Sequence, residues 1–149
     1  MNDLRELYQE IILDHYKKPR NFHAMPDATA HADGYNPLCG DKVKVHLKVA
    51  DGVVTDVAFE GSGCAISTAS ASIMTDALKG KSIDEARNLF ETFHEMLTSP
   101  EPTVDPATLG KLAVFGGVRE FPVRVKCATL AWHTMKAALD NSNDPVSTE

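Results

Sequence analysis

Hydrophobic positions recur at helical spacing from Asp3 to about Lys17. There Leu4, Leu7, Tyr8, Ile11 and Ile12 form one apolar stripe. Asn2 or Asp3 can cap this helix and Pro19 ends it. Residues 21–38 show no period and contain Pro26, Gly34 and Pro37, so they read as an irregular arm. The period then becomes two. Lys42-Val43-Lys44-Val45-His46-Leu47-Lys48-Val49 alternates polar and apolar throughout, which predicts a half-buried strand with a wet outer face. Asp51-Gly52 is a hairpin signal, and Val53, Thr55, Val57 and Phe59 continue the alternation in a partner strand. Two strands are marginal alone, so a third is expected from the arm, near residues 28–35.

After Gly61-Ser62-Gly63 the chain turns helical again. The segment opening at Cys64 is rich in Ala and Ser, whose small side chains let a helix lie close to its neighbours, and Gly80 suits its C-terminus. Ser82-Ile83-Asp84-Glu85 matches a capping box and starts a helix running to about Leu97. Residues 99–106 hold three prolines and read as an exposed connection. Thr108 to Phe115 reads as a short helix closed by Gly116-Gly117, and Phe121-Pro122 opens a last helix in which Trp132 belongs to the core. Residues 1–140 are expected as one domain and 141–149 as a polar, disordered tail.

Composition narrows the function. The chain is 43% hydrophobic, enough for a core without a disulfide scaffold, and carries a net charge of −6 with no sustained basic run. Nucleic acid is therefore not an expected partner. No apolar run approaches the roughly 20 residues of a membrane helix, so no membrane association is expected. The N-terminus is too acidic for a secretory signal. Three cysteines, an odd number, suit a reducing compartment, and the expected location is the cytoplasm.

Those thiols occupy related places. Cys39 lies in the turn Tyr35-Asn36-Pro37-Leu38-Cys39-Gly40-Asp41, Cys64 in the turn after the second strand, and Cys127 near the start of the last helix. A hairpin brings the start of its first strand near the end of its second, so Cys39, Asp41 and Cys64 should be neighbours. Cys127 joins them if the last helix docks with its N-terminal end over that edge. A free cysteine also serves as a small core hydrophobe. Three thiolates and a carboxylate, however, make a tetrahedral zinc site, and sulfur ligands equally suit copper(I) or iron–sulfur clusters. Gly40, Gly61 and Gly63 shape turns and let backbone approach a metal. Among the histidines, His46 is expected to be solvated on its strand. His15, His94 and His133 are expected at the surface or partly buried on helices, while His23 and His31 in the arm stay open as further ligands. Arg119, Arg124 and Lys126 form a basic cluster flanking Cys127. It reads as a solvated face that could also lower that thiol's pKa or meet an acidic partner.

Four motifs, "LYQEIILDHYKKPRN", "NPLCGD", "GSGCAIS" and "FPVRVKCATLAW", stand in order from Leu4 to about Leu139. Together they resemble the NifU/IscU-like iron–sulfur cluster assembly family, and within it the SufU branch of zinc-binding sulfur acceptors. The stretch Ser99 to Phe121 looks like the insertion carried by that branch. Lys126 stands where IscU members have a histidine before the third cysteine. Glu120-Phe121-Pro122-Val123-Arg124 stands where they have a chaperone-docking Leu-Pro-Pro-Val-Lys, which weighs against chaperone-assisted delivery.

The resemblance implies an α+β fold, a small three-stranded antiparallel sheet packed against several helices. It implies Cys39, Asp41, Cys64 and Cys127 as metal ligands and Cys39 as the sulfur acceptor. It also implies a SufS-type pyridoxal-phosphate cysteine desulfurase as donor, one of whose histidines takes the zinc position that Cys39 vacates, and a downstream assembly scaffold as recipient. Alternatives are a scaffold building a transient 2Fe–2S cluster on the same ligands, and a purely structural zinc domain.

Overall fold

The computed structural model describes residues 3–100, 106–140 and 146–147. Helix α1 spans Asp3–Lys17, as its apolar spacing predicts. Its inward stripe is Tyr8, Ile11, Ile12 and the fully buried His15, whereas Leu7, expected on that stripe, is half exposed. Strands β1 (Ala30–Asn36), β2 (Asp41–Ala50) and β3 (Val53–Ser62) form an antiparallel sheet in the order β3-β2-β1. The strand expected from the arm is thus β1. Asp51 and Gly52 both take positive φ, 52° and 75°, the two-residue hairpin geometry that matches strand twist.

Helices α2 (Ala65–Leu78), α3 (Ile83–Thr98), the single turn α4 (Pro106–Leu109) and α5 (Pro122–Leu139) complete the described fold. The capping box is present, with Ser82 Oγ accepting from Glu85 N–H and Ser82 N–H donating to Glu85 Oε1. The small residues of α2 do bring helices close: Ser70 Oγ donates to Ala128 O of α5 at 2.6 Å and accepts from Trp132 Nε1 at 3.2 Å. Trp132 is fully buried. Gly34 of β1 has no room for a Cβ because Thr134 of α5 occupies that space, so α5 lies hard against β1.

Three expectations change. The short helix does not end at Gly116-Gly117; a 3-10 segment runs from Gly110 to Glu120, burying Leu112, Val114, Phe115 and Val118. Neither of those glycines takes positive φ, and the left-handed residue is Gly110, at the junction with α4. The third change concerns His46, which is buried rather than solvated, with Nε2 2.8 Å from Glu60 Oε2. Helices cover one sheet face, but the arm crosses the other. It leaves the β3 edge, where Phe59 N–H donates to Asn21 O, and reaches β1 after Asp27 pairs with Lys48 at 2.6 Å. His46 and its cross-strand partner Ala58 are both buried on the face it crosses.

Val146–Ser147 (β4) runs parallel to β1 opposite Gly34 and Tyr35; the rest of the expected tail, and residues 101–105 of the proline-rich connection, lie outside the described residues.

Candidate metal centre

The β1–β2 register pairs Asn36 with Asp41, so residues 37–40 form a tight loop at the sheet edge carrying Cys39. Gly40 closes it with φ of 72°. In the β2–β3 register Lys42 faces Ser62, which sets Cys64 beside Asp41. The thiol of Cys64 caps α2, accepting from Ser67 N–H at 3.4 Å. Cys127 lies in the second turn of α5, over the same edge.

Three of the four sequence-predicted residues converge. Ligand atoms of Cys39, Asp41 and Cys127 all lie within 4.8 Å of one another. Cys39 Sγ is 2.9 Å from Cys127 Sγ. Asp41 Oδ1 accepts from Cys64 N–H at 2.8 Å, and its Oδ2 is 3.7 Å from Cys64 Sγ. Cys64 falls outside the tight group, beyond 4.8 Å from at least one of its members. None of the six histidines belongs to that group. His15 Nδ1 pairs with buried Ser72 Oγ at 2.7 Å, deeper than the surface or partial burial expected for it.

The donor set fits a zinc-like ion. A sulfur at about 2.3 Å and an oxygen at about 2.1 Å from a tetrahedral metal stand about 3.6 Å apart, close to the Cys64–Asp41 spacing. Two sulfurs on the same ion stand about 3.8 Å apart, so Cys39 and Cys127 must part by about 0.9 Å to bind it. Cys39, on a loop, can make that shift more readily than Cys127 within a helix.

Residues 7–128 match the family model described as NifU-like N terminal domain. The chain belongs to the NifU-like N-terminal domain family. It is 42% identical over 134 residues to the zinc-dependent sulfurtransferase SufU of Bacillus subtilis, covering 90% of each chain. It is 41% identical over 144 residues to the iron–sulfur cluster assembly scaffold protein IscU of Streptococcus pyogenes, covering 95% of this chain and 88% of that one. A crystal structure of a candidate iron–sulfur cluster assembly scaffold for the SUF system, from Fervidobacterium islandicum, superimposes with a TM-score of 0.83. It shares 34% identity and covers 91% of this chain and 98% of its own. This is a SufU- and IscU-like member of the family, with the α+β fold those relatives share.

In this NifU-like domain Cys64 and Cys127 resist ionisation when no cation is present. Burial pushes the Cys127 thiol well up, reinforced by its hydrogen bond to Cys39 and by Asp41. Burial also raises Cys64, with Asp41 adding to it, although the Ser67 amide pulls the other way. The basic cluster does not counter this as a unit. Arg119 turns away to hold the C-terminal carbonyls of α3, Met96 O at 3.1 Å and Ser99 O. The Arg124 guanidinium lies 4.7 Å from the centre of the Phe121 ring. Around the thiols the surface is apolar: Leu38 is 61% exposed, Phe121 47% and Val123 51%. Sequence reasoning did not single out this rim, because exposure is set by tertiary neighbours.

Two glycines hold the cradle. A Cβ on Gly61 would collide with the backbone of Lys42, and one on Gly63 would sit 2.5 Å from Asp41 Oδ1. Gly63→Ala should therefore displace the carboxylate while leaving the fold standing. The expected result is metal affinity lowered about tenfold with near-native far-UV circular dichroism, measured by chelator competition. Wild-type affinity would show that Asp41 yields without loss.

Proposed function

We propose that this chain is a zinc-holding sulfur acceptor in iron–sulfur cluster assembly, taking sulfur from the persulfide of a SufS-type cysteine desulfurase and passing it to a downstream scaffold. The observation that carries this reading is the convergence of Cys39, Asp41 and Cys127, with Cys64 against Asp41. All four are the proposed ligands. The chemistry divides them: Cys127 is buried in a helix, Cys64 caps another, and Cys39 stands half-exposed on a loop. Zinc, when bound, keeps its cysteine sulfurs deprotonated near neutral pH.

Cys39 Sγ attacks the outer sulfur of the donor's persulfide. The donor's S–S bond breaks as the new S–S bond on Cys39 forms. The donor cysteine leaves as thiolate and the outer sulfur keeps whatever proton it carries, so charge balances and there is no net oxidation. The apolar rim of Leu38, Phe121 and Val123 suits docking by another protein, which delivers the persulfide away from water. Free thiols so close together support a cytoplasmic setting.

A second reading is favoured by the scaffold relatives: the same ligands hold a 2Fe–2S cluster. Elemental analysis after anaerobic purification, with desulfurase turnover measured with and without the protein, separates the two. The expected result is about one zinc per chain, little iron and faster turnover. Iron with acid-labile sulfide supports the scaffold. Zinc without stimulation leaves a structural zinc domain.

A further inference from the structure

Asn36 is fully buried at the end of β1, and its side chain is only half used. Its Oδ1 accepts from Leu38 N–H at 3.0 Å, which shapes the loop carrying Cys39 and settles which end of the amide is oxygen. Its Nδ2 has no hydrogen-bond partner among the described residues. Across the sheet Asn36 pairs with Asp41, also fully buried, and directly opposed residues share a face. Gly34, two residues back on that face, rests on Thr134 and Leu130 of α5. Asn36 therefore lies further toward the N-terminal half of α5, where Cys127 meets Cys39.

A buried amide donor without an acceptor is costly, and such groups are rare in folded proteins. Here the missing acceptor has an evident source. In this structure Cys39 Sγ stands 2.9 Å from Cys127 Sγ instead. A metal shared by both sulfurs would part them by about 0.9 Å and leave the Cys39 sulfur as an acceptor on the loop that Asn36 shapes.

We infer that Asn36 is a positioning residue, whose side-chain N–H donates to the sulfur of Cys39 in its charged states, as metal-bound thiolate and as persulfide. Its purpose rests on the sulfur-acceptor reading, but the hydrogen bond itself does not. One amide thus does two things: its oxygen shapes the loop, and its nitrogen holds the reactive sulfur against it. The donor stabilises charge on that sulfur without occupying a coordination position.

The test is NMR of the full chain loaded with cadmium-113 in place of zinc, with the Asn36 side-chain amide assigned. One Nδ2 proton should move downfield on loading and show scalar coupling to cadmium, transmitted through N–H···S–Cd, and the coupling should vanish in Cys39→Ser. Asn36→Ser keeps an oxygen for Leu38 N–H but lacks the amide N–H₂, its one O–H sitting a bond closer to the main chain. It should lower zinc affinity about tenfold, by competition with a chromophoric chelator, while the metal-free melting temperature stays near wild type. The same variant, charged from a persulfide donor, should lose its sulfur several-fold faster to a thiol trap. An Asn36 amide resonance that ignores both metal and persulfide overturns the inference, whatever the Ser variant does. So does a Ser variant with wild-type affinity. Wild-type protein that shows the coupling but accepts no sulfur would instead sink the sulfur-acceptor reading.

Discussion

Cys39→Ser should abolish persulfide uptake while much of the fold and some of the metal remain. Serine still offers an oxygen, and the loop ends, Asn36 and Asp41, are held by the sheet register whatever stands at position 39. What is lost is the nucleophile: a hydroxyl cannot replace a thiolate in attack on a sulfane sulfur. Asp41→Ala acts in the opposite sense. It removes the acceptor for Cys64 N–H and a proposed ligand, so metal occupancy falls, yet the attacking thiol stays. Cys64 and Cys127 should behave mainly as anchors, since one caps a helix and the other lies within one. The measurement is intact-protein mass spectrometry after mixing with desulfurase and cysteine and alkylating. The expected result is a gain of one sulfur in wild type, none in Cys39→Ser, and some in Asp41→Ala. Normal sulfur gain by Cys39→Ser, on Cys64 or Cys127, would mean that Cys39 is not the acceptor.

Stripping a bound zinc ion should lower the melting temperature, because a ligand that binds only the native state adds its binding free energy to folding. At a free zinc concentration 100 times Kd this is about 2.7 kcal/mol, or about 5–10 °C for a chain of this size. The loss is also pH-dependent, and its sign follows from the raised thiols. In the metal-free fold Cys64 and Cys127 hold their protons more tightly than in the unfolded chain. Between the two thiol values the folded state binds more protons, so metal-free stability is fully present below about pH 8.5 and declines above it. Zinc binding displaces those protons, so affinity rises with pH over the same range. The gap between loaded and stripped melting temperatures should therefore widen from pH 7 to pH 9. A gap that stays constant, with metal loss confirmed by elemental analysis, would show that the thiols do not ionise on binding.

Much of this was legible from local chemistry. The strict alternation from Lys42 to Val49, the Asp51-Gly52 turn and the Ser82–Glu85 capping box each contain their own physical cause, and each element forms where the sequence places it. The hairpin is why Cys64 could be set beside Asp41 before any coordinates: antiparallel pairing makes the start of one strand the neighbour of the end of the next. Four motifs in order carried the family.

Other features depended on what comes to lie over a residue. His46 alternates as an outward polar position and is buried all the same, because the arm crosses that face and Glu60 answers its nitrogen. Gly116-Gly117 look like a stop, but Phe115 and Val118 have a core to enter, so the 3-10 segment runs on through them. Arg119 flanks Cys127 in sequence and serves the end of α3 in space. The fourth corner of the centre was the largest such case. Nothing near Cys127 demands that α5 set its N-terminal end over the β1–β2 loop. That follows from the contact of Thr134 and Leu130 with Gly34, and from Ser70 holding Ala128 and Trp132. Pattern and turn chemistry act over a few residues, so the sequence by itself determined most of the elements, the hairpin and the setting of Cys64 beside Asp41. The docking of α5, the burial of the thiols and the orphaned amide of Asn36 depend on side chains dozens of residues apart, and only the tertiary structure decided them.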